Sequence, residues 1–157
     1  MLLIAATSGA FASGAPAAAQ SSRWRIYISD VGSNGYPSLA EVEMRSGIGG
    51  ADIAIGGAVS ASSNWGADYP ANAFDDNLTT FWAGGVPVTT SASWLEYTFA
   101  SSVAIREISL SARNDTWSDQ APRDFELQYW DGTAWLAAIS RLAEPAWGVG
   151  EQRIYSV

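Results

Sequence analysis

The chain has 157 residues, 16 acidic and 8 basic, for a net charge of −8; it has neither Cys nor His, and every basic residue is Arg. This composition excludes disulfides, thiolate or imidazole metal sites and Ser-His or Cys-His nucleophiles. It also leaves no flexible cationic surface to neutralise phosphates, so no nucleic acid partner is expected. Nearly half the residues are hydrophobic, and 15 Gly and 8 Trp accompany short alternating runs, which favours one all-β domain.

Residues 1–22 open with Leu2-Leu3-Ile4-Ala5-Ala6 and run into an Ala, Ser and Gly stretch ending Ala17-Ala18-Ala19-Gln20, similar to a secretory signal with an A-x-A cleavage site. No positive charge precedes the apolar residues, and Thr7, Ser8 and Gly9 break them. A docking arm that meets other subunits of a larger assembly is therefore expected alongside the signal reading, and the segment is too short and polar for a transmembrane span.

The domain is expected over residues 23–157. Trp24, Ile26 and Ile28 alternate with Arg25 and Tyr27, as in a half-buried strand, before a turn at Ser33-Asn34-Gly35-Tyr36-Pro37. A second run places Ala40, Val42 and Met44 inward and Glu41, Glu43 and Arg45 outward. Ala51 to Ser63 reads as a weak strand leading to the loop Asn64-Trp65-Gly66-Ala67-Asp68-Tyr69. Strands follow at Trp94 to Phe99 and Ala104 to Ala112. A second polar loop, Arg113-Asn114-Asp115-Thr116-Trp117-Ser118-Asp119-Gln120, leads to the Phe125 to Trp130 strand, and Asp131-Gly132 reads as a two-residue type I′ hairpin turn into Trp135 to Ile139. Short strands at regular spacing define a sandwich or barrel.

Between Tyr69 and Trp82, Asp75, Asn77 and Thr80 offer carboxylate, amide and hydroxyl or backbone oxygens to one small volume. That pattern suits a hard cation such as calcium; an Asx turn capped by its own side chains is the commoner outcome for such a run taken alone.

The chain resembles the discoidin or coagulation-factor C-type domains and related galactose-binding-like carbohydrate modules. The resemblance is carried by Ser62-Ser63, Tyr69-Pro70-Ala71, Ala73-Phe74-Asp75, Thr80 with Trp82, Trp94-Leu95 with Phe99, Pro122 to Leu127, and Asp131-Gly132-Thr133 with Trp135. It implies an all-β, jelly-roll β-sandwich. Trp24-Arg25-Ile26-Tyr27-Ile28 and Ser38-Leu39-Ala40-Glu41-Val42-Glu43 look like the family's last strands moved to the front, which implies circular permutation. The resemblance further implies a structural Ca2+ held by Asp75, Asn77 and Thr80 with the Asn72 and Ala40 carbonyls and the Glu41 carboxylate.

Sugar recognition needs an aromatic face for the pyranose and planar polar groups for its hydroxyls. The two polar loops supply Trp65, Tyr69 and Trp117 as aromatic residues and Arg113, Asn114 and Asp115 as hydrogen-bonding groups. Trp82, Trp94 and Trp135 lie in strand contexts and are expected to pack. Arg113 beside Asp115 also reads as a simple surface ion pair. The expected function is a non-catalytic carbohydrate-binding and adhesion module for cell-surface glycans, extracellular or on a particle surface. The resemblance extends this to a tail, fibre or head-spike component of a phage or phage-like virion that serves host attachment. The competing readings are a structural subunit whose loops contact other proteins, and a glycan-cleaving enzyme using Asp68, Asp115 and Asp119.

Overall fold

The computed structural model describes residues 18–32 and 34–157. Of the expected arm, residues 1–17 lie outside that range, and Ser21 and Ser22 already belong to the first strand. Among the described residues there are ten strands: β1 (Ser21–Val31), β2 (Ser38–Leu39), β3 (Glu41–Arg45), β4 (Ala58–Ala61), β5 (Trp82–Ala83), β6 (Ser93–Val103), β7 (Glu107–Ser111), β8 (Pro122–Trp130), β9 (Trp135–Arg141) and β10 (Gln152–Ser156). Short 3-10 helices at Pro70–Phe74 and Ser118–Gln120 complete the regular structure.

All strand pairings are antiparallel. One sheet has the order β4-β6-β1-β8-β9, the other β10-β7-β3, and β2 pairs with β5. The period-two pattern of β1 explains its central place, because a strand paired on both sides needs an apolar residue at every second position facing the core. Trp24, Ile26 and Ile28 are fully buried, opposite Tyr97, Leu95 and Ser93 of β6 and Tyr129, Leu127 and Phe125 of β8. Against them pack Val42 and Met44 of β3, Ile108 and Leu110 of β7, and Tyr155 of β10. Each such side chain contributes on the order of 2 kcal/mol through the apolar area it removes from water. Buried indoles keep their N–H groups bonded: Trp24 Nε1 donates to the Ser21 carbonyl (2.9 Å), Trp82 Nε1 to that of Ser63 (3.0 Å) and Trp147 Nε1 to that of Pro122 (2.8 Å).

The outward face of the larger sheet carries an alternating stack of cations and rings. The Arg23 guanidinium lies 5.4 Å from the Trp130 ring and 5.1 Å from Trp135, and Arg25 lies 4.2 Å from Trp135 and 5.1 Å from Tyr27. Trp82 is core, as expected, whereas Trp94 and Trp135 are half-buried, and Trp135 packs in this outer stack.

Three local expectations are corrected. Glu41 does not point outward to solvent: the Pro70–Phe74 helix packs against β3 and leaves Glu41 only 4% exposed. The strand expected over Ala51 to Ser63 is confined to Ala58–Ala61, since the preceding Gly56 adopts a positive φ of 74° that an extended ladder does not allow. The β8–β9 hairpin closes over residues 131–134, with Trp130 opposite Trp135, because the Asp131 carboxylate accepts hydrogen bonds from the N–H groups of Thr133 (2.7 Å) and Ala134 (2.8 Å). An Asx-bonded four-residue loop thus replaces the two-residue turn.

Candidate functional site

Loops from four parts of the chain converge on one cavity of about 340 Å³, lined by Asn34, Tyr36, Trp65, Asp68, Ala83, Gly84, Arg113, Trp117 and Gln120. The β1–β2 connection brings Asn34 and Tyr36. The stretch between β4 and the first 3-10 helix brings Trp65 and Asp68, β5 and its continuation bring Ala83 and Gly84, and the β7–β8 connection brings the rest.

Backbone hydrogen bonds hold these loops in place. Trp65 N–H donates to the Ala83 carbonyl (2.7 Å), Gly84 N–H to that of Pro37 (2.8 Å) and Gly32 N–H to that of Asp119 (2.8 Å). A Cβ on Gly32 would stand 2.6 Å from the Asp119 carbonyl oxygen, so this approach of the β1–β2 and β7–β8 loops requires glycine. A side-chain chain runs between the same two loops. Arg113 Nε and Nη2 donate to Asp115 Oδ2 (3.2 and 2.6 Å), Arg113 Nη1 donates to Gln120 Oε1 (3.2 Å), and Gln120 Nε2 donates to Asn34 Oδ1 (3.1 Å). Asn34 Oδ1 also accepts the Tyr36 N–H (3.3 Å).

The Arg113 guanidinium carbon lies over the Phe81 ring, 3.6 Å from its centroid, and the hydrogen bonds to Asp115 and Gln120 hold the group in place. Desolvation raises the Asp115 pKa, but hydrogen bonds from Arg113 and the Trp117 N–H outweigh it and hold the carboxyl below its usual range. Burial shifts Asp68 the other way, upward, against the pull of Arg113. Trp65 and Trp117 are 58% and 46% exposed, so their rings remain available to a ligand.

Of the six residues expected to bind ligand, the fold brings Trp65, Arg113 and Trp117 to the cavity. Tyr69, Asn114 and Asp115 do not line it. Tyr69 is the N-cap of the Pro70–Phe74 helix, the Asn114 side chain packs on Gly150, and Asp115 is occupied by Arg113 and the Trp117 N–H. Asn34, Tyr36 and Gln120 were not among the expected site residues, and Asp68 was considered only as a catalytic carboxylate; the only sequence signal for the first two was a turn. Of the three carboxylates considered for glycan cleavage, Asp68 alone lines the cavity.

The second group lies where the Pro70–Phe74 helix and its following loop meet β3. Asp75 Oδ1 accepts the Asn77 N–H (3.0 Å), and Thr80 Oγ1 lies 2.8 Å from both Asp75 Oδ2 and the Asn77 carbonyl oxygen. The loop is thus drawn together by its own Asx and hydroxyl bonds. Asn72 spends its side-chain amide on the Phe81 carbonyl (3.0 Å), which leaves its own carbonyl as the relevant oxygen. Among the described residues no group of three or more His, Cys, Asp or Glu side chains is placed to hold a metal, so a cation here would depend on backbone oxygens as well.

Glu41 is the residue that tests the fit. Its Oε1 accepts the Val42 N–H (3.2 Å), but its Oε2 is buried and has no partner. Burial, then the charges of Asp75 and Asp76, push its pKa up to about 7. An orphaned carboxylate oxygen facing further negative charge is a poor design for a closed apolar core and suits a hard, oxygen-seeking cation. The residues present therefore fit such an ion.

An antiparallel sandwich that directs its loops onto one open cavity of indole rings and planar polar groups is built as a binding module. The family model of the F5/8 type C domain matches residues 58–144, more than half of the chain, and the chain belongs to that family. The fold is accordingly the jelly-roll sandwich expected from the sequence. These discoidin domains are carbohydrate-binding or adhesion-type modules, generally non-catalytic, that bind carbohydrates or proteins and are typically extracellular or surface-exposed. No curated protein matches the chain. Among the described residues no helix is long and apolar enough to cross a membrane.

Proposed function

We propose that the protein is a glycan-recognition module whose ligand enters the cavity between Trp65 and Trp117, with Arg113 donating hydrogen bonds to sugar hydroxyls. The observation that carries this reading is the convergence of two exposed indoles and a guanidinium held by Phe81, Asp115 and Gln120 on one cavity, from loops far apart in sequence. Indole faces suit the apolar side of a pyranose, and planar donors suit vicinal hydroxyls.

The supporting elements are read as follows. A structural Ca2+ at Glu41, Asp75, Asn77 and Thr80, with the Ala40 and Asn72 carbonyls, would tie β3 to the loop after the first 3-10 helix; the orphaned Glu41 oxygen supports it. The ion's contribution when bound would be to neutralise the clustered carboxylates. Circular permutation is supported by β1 and β3, which precede the matched residues yet complete the two sheets. Placement on a phage or phage-like particle for host attachment, with residues 1–20, the part of the expected arm that precedes β1, meeting the neighbouring subunits, is supported by the composition of that segment and by the family's adhesion character.

A glycan array probed with the wild type, Arg113→Ala and Trp117→Ala tests the reading. Selective binding lost in both variants is the expected result. Binding that survives both changes removes these residues from the site, and a blank array transfers the exposed indoles to a protein contact.

A further inference from the structure

The charges around the cavity are unequally balanced. Among the described residues Arg113 is the only cation lining it, and three of its five N–H groups are already committed, two to Asp115 and one to Gln120. Asp115 sits against it at 2.6 Å outside the lining, so the pair is close to neutral as seen by a ligand. Asp68 has no ion-pair partner among the described residues, and the Arg113 charge acts on it from beyond salt-bridge distance. Its carboxylate receives no hydrogen bond from any described residue, and burial raises its pKa, opposed only by the Arg113 charge.

Three rings share the cavity with that carboxylate: Tyr36, Trp65 and Trp117. The Tyr36 and Trp65 rings meet at 5.4 Å and 79°, which fixes one wall. Aromatic faces attract cations and disfavour anions. The chain's net charge of −8 adds a field of the same sign.

We propose that Asp68 is the specificity-determining residue of the cavity, selecting sugars that carry a free amino group, accepting neutral sugars more weakly and rejecting uronic acids. This rests on the glycan reading above and adds to it the sign of the ligand's charge. A carboxylate only accepts, so an ammonium gives it a charge-assisted bond and a hydroxyl a weaker one. A sugar carboxylate would face Asp68 with an Arg113 already compensated by Asp115. At the partly screened edge of a protein, one such charge is worth on the order of tenfold in affinity, and less at high salt.

The test is calorimetric titration of the full chain with glucosamine, glucose and glucuronic acid, and with the corresponding galactose series, at about pH 6.5 where a sugar amine is protonated. Wild type should rank amine over neutral over acid within a series, with amine and acid separated by tenfold or more and the gap shrinking as salt rises. Asp68→Asn should bring the members of a series together, with a melting temperature unchanged or slightly raised, because Asp68 makes no side-chain hydrogen bond and burial disfavours its charge. Asp115→Asn, which releases Arg113, should improve uronic acid binding.

Equal affinities within a series, preference for the uronic acid, or an order that survives Asp68→Asn would each overturn the proposal while leaving sugar binding itself in place. If neither series binds and the array is also blank, the glycan reading falls and the role of Asp68 falls with it. Should Asp68→Asn not fold, the wild-type ranking and its salt dependence still decide.

Discussion

Tyr36 meets Trp65 edge to face, with ring centroids 5.4 Å apart and an interplanar angle of 79°. Tyr36 comes from the β1–β2 loop and Trp65 from the loop after β4, so the contact joins the front of the chain to the family-matched segment. An edge-to-face pair contributes about 0.5–1.5 kcal/mol and, here, holds the more exposed indole in one orientation. Tyr36→Ala should therefore lower sugar affinity on the order of tenfold while costing about 1 kcal/mol of stability. Tyr36→Phe should keep most of both. Paired titration and denaturant unfolding distinguish these outcomes; a Tyr36→Ala variant that binds normally would show that Trp65 needs no such support.

The orphaned Glu41 oxygen predicts opposite effects of one substitution in two conditions. Without metal, Glu41→Gln removes a buried charge that lies near Asp75 and Asp76, so the variant should be as stable as wild type or slightly more so. With calcium at about a hundred times its dissociation constant, wild type should gain about 2.7 kcal/mol, or several degrees in melting temperature. Glu41→Gln should lose most of that gain. Calorimetric scans with calcium and with chelator provide the comparison, and a wild-type melting temperature indifferent to chelation would count against the ion.

The strand framework was largely legible because side-chain alternation is a local signal. Trp24, Ile26 and Ile28, or Phe125 and Leu127, declare their inward face without reference to any partner. The two polar loops were also legible, since an aromatic among Asn, Asp and Gly has no obvious place in a core. The membership of the cavity was not. Asn34 and Tyr36 read as turn punctuation, and only the antiparallel packing of β1 between β6 and β8 carries their loop to Arg113. Asp115 carried the right chemistry, but its bond to Arg113 spends it. Glu41 read as solvent-facing because its burial comes from a helix some thirty residues away in sequence, which no strand pattern encodes.

The outward stack on the larger sheet is predicted to stabilise the fold and to leave recognition untouched. Arg25 donates from Nε to Gln128 Oε1 (2.7 Å) and lies 4.2 Å from the Trp135 ring, so Arg25→Ala removes one hydrogen bond and one close cation–π contact. Together these are worth about 1–2 kcal/mol. A fall of several degrees in melting temperature with unaltered sugar affinity is expected. Arg25→Lys should recover only part of the loss, because an ammonium is a point charge without a planar face to stack. A change in sugar binding in Arg25→Ala would mean that this sheet face belongs to the recognition surface.

Tyr155 sets a testable alkaline limit. Its hydroxyl donates to Glu144 Oε2 (3.1 Å), and its ring packs edge to face on Phe125, with centroids 5.2 Å apart. Burial first, then the charge of Glu144, push its pKa up to about 12. Because the folded chain holds this proton more tightly than the unfolded chain, the resulting stabilisation is complete below the unfolded tyrosine value of about 10. It is lost as the pH rises toward about 12. Tyr155→Phe retains the ring and leaves Glu144 its contact with Arg153, so at neutral pH it should cost about 1 kcal/mol. Other tyrosines titrate in the same range, so the informative quantity is the difference between wild type and variant, measured by denaturant unfolding at successive pH values. That difference should shrink between about pH 10 and pH 12; a constant difference would mean that Tyr155 ionises alike in the folded and unfolded chain.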